Sequence, residues 1–136
     1  MALPIDKDVE GIKIKKDGKE YVSNPILLQE ILISKEKGEL TYNALQMLMM
    51  MVENISNAKR YPSQEEKEDC QQQAVLDVLQ YWQGFDPDKS SSPNPFAYFT
   101  SIIINGIAKG WNSLHPQNKK AKGCVFTSLD NNVYTI

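Results

Sequence analysis

Histidine occurs once and cysteine twice in the 136 residues, so the side chains that build most metal centres and catalytic triads are nearly missing. Cys70 and Cys124 stand in no ligand spacing, which argues against a zinc module or a disulfide framework and leaves two free thiols as the expectation. Long hydrophobic runs are also lacking. The longest, residues 45–52, is interrupted by Gln46 and is far shorter than the roughly 20 residues that cross a bilayer. No apolar signal core opens the chain, so a cytoplasmic protein with no membrane partner is expected. Phosphate-cradling glycine loops, paired-histidine helix motifs and nucleophile elbows are absent as well. No catalytic residue, metal or cofactor is therefore assigned, and the chain does not read as an enzyme. Asp86, Asp88 and Ser90 open like a calcium loop, but Ser91 replaces the turn glycine and Ala97 the closing carboxylate. Asn54-Ile55-Ser56 matches a glycosylation acceptor inside what reads as a helix.

What is present suffices for one folded domain. The 41% hydrophobic and 24% charged residues exclude general disorder, and the length leaves no room for two independent cores. Residues 11–22 alternate apolar and charged side chains around Asp17-Gly18, which predicts a hairpin with a two-residue turn within an arm spanning residues 1–24. A helical domain over residues 25–115 follows. Its first helix starts at Pro25 after Asn24 as a cap and ends near Gly38. The second is capped by Thr41, carries Ala44, Leu45, Leu48, Met51, Val52, Ile55 and Ala58 at helical spacing, and stops at Pro62. Its Met47 to Met51 cluster is read as core packing. Ser63 and Glu66 form a capping box for a third helix reaching Gln83, with Ala74, Val75, Val78, Leu79 and Trp82 as its apolar stripe. After a proline- and serine-rich loop, a fourth helix runs from Pro95 to about Leu114, with His115 at its end. Residues 116–136 read as a basic and hydrophobic tail, possessing too few periodic apolar residues for another helix.

Charge is unevenly placed despite a near-balance of 17 acidic and 15 basic residues. No Asp or Glu lies between Lys89 and Leu129, whereas Lys109, Lys119, Lys120 and Lys122 do; residues 65–88 just upstream are strongly acidic. Phe96, Tyr98, Phe99 and Trp111 share the basic half. Aromatic rings beside lysines offer unpaired bases a stacking face and phosphates a cation, and the same residues also suit a core with solvating lysines.

The order of segments resembles region two of the sigma-70 family of bacterial transcription initiation factors. Ala58-Lys59-Arg60-Tyr61 closes one helix, Asp69-Cys70-Gln71-Gln72 lies in the next, Phe85-Asp86 precedes the loop, and Asn94-Pro95-Phe96-Ala97-Tyr98-Phe99 opens the last. The likeness covers residues 41–111 and runs without a gap over 69–85. The chain is also similar to the small late-transcription sigma factors of T-even-type phages in Tyr21-Val22-Ser23-Asn24-Pro25-Ile26-Leu27-Leu28-Gln29 and in the Asn94 to Tyr98 string.

The resemblance implies an all-helical, sigma region-two-like domain that binds bacterial core RNA polymerase. Asp69, Gln72, Gln73 and Gln80 would meet the arginine-rich clamp helices of the largest subunit through charge-assisted and amide hydrogen bonds. It also implies capture of non-template bases of a minus-ten-like promoter element, with Phe99 as principal stacking ring beside Phe96 and Tyr98, and Asn105 in the upstream-reading region. Lys109, Lys119, Lys120 and Lys122 would contact phosphates. The family's tandem tryptophans are Ile102 and Ile103 here, and its following arginine and glutamine are Asn105 and Gly106; Trp111 is read as packing. The phage factors end in an epitope for the replication sliding clamp, which assigns Leu129, Val133, Tyr134 and Ile136 to that contact. The tail could instead follow the template channel or fold back through Val125, Phe126 and Leu129. A rival reading is a polymerase-binding module that inhibits or redirects transcription without reading DNA.

Overall fold

In the computed structural model, residues 4–116 are described, and they form a mainly helical domain with one small sheet. Strands β1 (Ile12–Ile14) and β2 (Glu20–Val22) pair antiparallel, with Ile12 opposite Val22. The predicted hairpin is present, but its turn holds three residues, 16–18, not two. Lys15 N donates to Lys19 O at 2.8 Å and Gly18 N to Lys15 O at 2.9 Å, and Gly18 at φ 87° takes the left-handed position that a three-residue loop requires. Asp17 Oδ1 also accepts from Lys19 N at 3.0 Å, which holds the turn in this form.

Four helices follow: α1 (Asn24–Lys37), α2 (Tyr42–Asn57), α3 (Gln64–Tyr81) and α4 (Pro95–Leu114). Short 3₁₀ turns at Trp82–Gly84 and Pro87–Lys89 join α3 to α4. Thr41 Oγ1 accepts from Ala44 N at 3.1 Å and Ser63 Oγ from Glu66 N at 3.2 Å, so both expected caps form. Gly38 ends α1 at φ 83°. Two expectations change. Ser23, not Asn24, stands at the N-cap of α1 and makes no side-chain cap bond there. Asn24 instead accepts from Phe96 N at 3.1 Å while Asn94 accepts from Ala97 N at 3.1 Å, so two asparagines from distant segments satisfy the first N–H groups of α4. Helix α2 ends at Asn57, ahead of Pro62, and Ala58 is exposed beyond it.

Helices α3 and α4 make the most extensive contact and run antiparallel. Small residues let them approach: a Cβ on Gly106 would lie 2.7 Å from Ala74 Cα, and one on Gly110 2.9 Å from Cys70 Cα. This contact shifts the buried stripe of α3 from its predicted line. Cys70, Gln71, Ala74, Asp77 and Val78 face inward, while Val75 is half-buried and Leu79 exposed. The core joins Leu27 and Ile31 of α1, Met47, Leu48, Met50 and Met51 of α2, and Phe99, Ile103 and Ile107 of α4. Val9, Ile12 and Val22 belong to the same core, so the arm is packed into the domain. Asn54 Nδ2 donates to Glu20 O at 3.1 Å, and Tyr42 Oη donates to Asp6 Oδ2 at 2.7 Å, fastening it to α2. That second bond holds the Asp6 carboxyl below its ordinary range. No helix among the described residues is long and apolar enough to cross a membrane.

Candidate functional site

Helix α3 exposes Asp69, Gln72, Leu76 and Gln80 at steps of three, four and four, which places them on one stripe. Leu76 is 59% exposed and Leu79 45%, unusual for leucines beside a well-filled core. A groove of about 300 Å³ lined by Pro4, Met49, Gln72, Val75 and Leu76 runs beside this stripe. The result is an apolar seam between α2 and α3 bordered by an acid and two amides. Gln73 points elsewhere. Its Nε2 donates to Asp77 Oδ1 at 3.0 Å, and Lys109 Nζ reaches Asp77 Oδ2 at 2.8 Å. Asp77 is buried, so these partners supply the hydrogen bonds its carboxylate has lost from water. The hydrogen bond to Asp77 raises the Lys109 pKa above its ordinary value. Gln73 and Lys109, expected to meet polymerase and phosphate, are thus joined in one α3–α4 bridge.

At the start of α4 the aromatics differ in exposure, Phe96 lying in the first turn and Phe99 one turn further into the core. Phe99 is 0% exposed, packed edge-on against Tyr98 at 5.1 Å and near Phe85 at 6.4 Å. The expectation that Phe99 offers a ring face to a base is not met in this arrangement, because its position shares the inward line of Ile103 and Ile107. Tyr98 is half-buried and its hydroxyl donates to Tyr81 O at 2.7 Å, with burial raising its pKa. Phe96 is exposed, as is Asn105. Trp111 is buried and stacks on His115 at 4.1 Å, while His115 Nε2 lies 2.5 Å from Glu66 Oε1 at the other helix's first turn.

Phe96 also lines a groove of about 240 Å³ with Lys15, Tyr21, Val22, Met51, Asn54 and Ile55. Lys15 Nζ sits 5.6 Å from the Tyr21 ring centre. Sequence reasoning missed Lys15 and Tyr21 as site residues; the signal available was the cluster of lysines on the hairpin. It also missed Asp77, which lies four residues after Gln73 but bears no pattern that distinguishes a buried acid.

Among the described residues no group of three or more His, Cys, Asp or Glu is placed to hold a metal ion. Cys70 is buried at the α3–α4 contact, and burial, with Asp69 and Glu66 adding to it, pushes its thiol up to about 11. It is held as the unreactive thiol at neutral pH. Lys119, Lys120, Lys122, Leu129, Val133, Tyr134 and Ile136, together with Cys124, lie outside the described residues. No known protein family, curated protein or solved structure matches the chain.

Proposed function

We propose that this chain is a phage-type transcription initiation factor of sigma region-two character. It docks on bacterial core RNA polymerase through α3 and engages a minus-ten-like promoter element through the start of α4. The observation that carries the reading is the α3 stripe, where three of the four residues matched to the polymerase-binding pattern, Asp69, Gln72 and Gln80, lie exposed around Leu76. An apolar centre with a polar rim is the usual anatomy of a protein interface, and Asp69 is free to receive arginine donors. Base stacking of about 1–3 kcal/mol per ring is of the scale needed to hold unpaired bases. The tail is proposed to meet a replication sliding clamp.

Co-purification with core polymerase tests the docking face. Leu76→Asp and Asp69→Ala should each weaken retention at least several-fold, with thermal stability unchanged because both side chains are exposed. Retention equal to wild type in both variants would contradict the assignment. The second reading, a polymerase-binding module that redirects transcription without touching DNA, is favoured by the burial of Phe99 and by Ile102 and Ile103 at the tandem-tryptophan positions. Promoter opening with single-strand binding distinguishes the first reading from the second.

A further inference from the structure

We infer that the N-terminal hairpin forms half of a single-stranded nucleic-acid groove, in which Tyr21 and Phe96 present stacking faces for an unpaired base and Lys15 a cation for the adjacent phosphate. The proposal rests on the initiation-factor reading and adds to it the hairpin as a second wall beside Phe96, giving Tyr21 and Lys15 a role that the resemblance does not assign them. Tyr21 and Phe96 are the two aromatics lining this groove; they are 36% and 41% exposed. They come from β2 and α4, far apart in sequence, and the Asn24 and Asn94 caps fix the start of α4 against the segment that follows β2. The space of about 240 Å³ is below the roughly 300–1,000 Å³ of a drug-sized ligand pocket, which suits one ring system with the remaining strand outside.

Charge favours a polyanion as the occupant. Lys13, Lys15, Lys16 and Lys19 are all exposed on the hairpin. The strands and turn carry two acids against these lysines, Asp17 and Glu20, and Glu20 is paired with Lys7 at 3.5 Å. An apolar peptide would leave these lysines without a role, whereas a single strand uses both the rings and the cations.

Fluorescence anisotropy of the full chain with a short labelled single-stranded DNA tests this, with the duplex of the same sequence as control. The single strand should bind more tightly than the duplex. Tyr21→Ala and Phe96→Ala should each weaken binding roughly 5- to 150-fold, and Tyr21→Phe should restore it. Lys15→Gln should lower the salt dependence by the equivalent of one phosphate contact, a change in slope of about 0.7. Absence of single-strand binding, or wild-type affinity in both alanine variants with unchanged circular dichroism, overturns the groove. Co-purification with core polymerase is read on the same proteins. Failure of the wild-type chain there overturns the initiation-factor reading, while loss of the groove with polymerase binding intact overturns this inference alone.

Discussion

At the residue scale, two phenylalanines one helical turn apart do different jobs, because Phe96 stands in the first turn of α4 beside the hairpin and Phe99 one turn further along, inside the core. Phe99 is sealed in the core while Phe96 faces the hairpin groove. Phe99→Ala should therefore cost about 3–5 kcal/mol of stability, and Phe96→Ala less than about 0.5 kcal/mol, in denaturant unfolding. The aromatic character of this segment was legible in the sequence, but which of its rings the core covers was not. Residues 96–104 are apolar or small at nearly every position, so no single stripe stands out. Asp77 was equally hidden, since its burial depends on Gln73 and on Lys109 from another helix. Lys109 gains its partner on folding, which raises its pKa. Its contribution is complete below the unfolded lysine value of about 10.4 and is lost as pH rises through the raised folded value. Lys109→Met should thus lower the melting temperature at neutral pH, and the difference from wild type should close in strongly alkaline buffer.

At the element scale, turn chemistry and caps made the helices readable. Gly38, Thr41 and Ser63 each act at the terminus where the sequence placed them, whereas Asn24, expected to cap α1, joins Asn94 at the start of α4. The α3–α4 register was less accessible, because it depends on which small residues face one another. Gly106 over Ala74 and Gly110 over Cys70 set that register and move Leu76 and Leu79 to the surface. Gly106→Ala would force a methyl group to within 2.7 Å of α3 backbone. Overpacking of about 1–3 kcal/mol then opposes a helix-propensity gain of at most about 1 kcal/mol. A lower melting temperature is expected, together with weaker polymerase retention if the α3 face shifts. An unchanged melting temperature would show that the helices separate without cost.

At the scale of the whole molecule, the sequence suggested an acidic half and a basic half. The acidic half is visible as the flank of the α3 seam, but the described basic surface beside an exposed aromatic lies on the hairpin, because Lys109 is committed to Asp77. On the proposed reading, one surface meets a basic protein partner and the other a polyanionic strand. An initiation factor needs both on one body, since recruitment without strand capture opens no promoter. Transcription by bacterial core RNA polymerase from a pre-melted promoter bubble, with and without the purified full chain, tests this most directly. Retention of the chain on polymerase together with a start-site-specific transcript is the predicted result. No binding to the cognate core polymerase, or binding that yields no specific transcript, would contradict it.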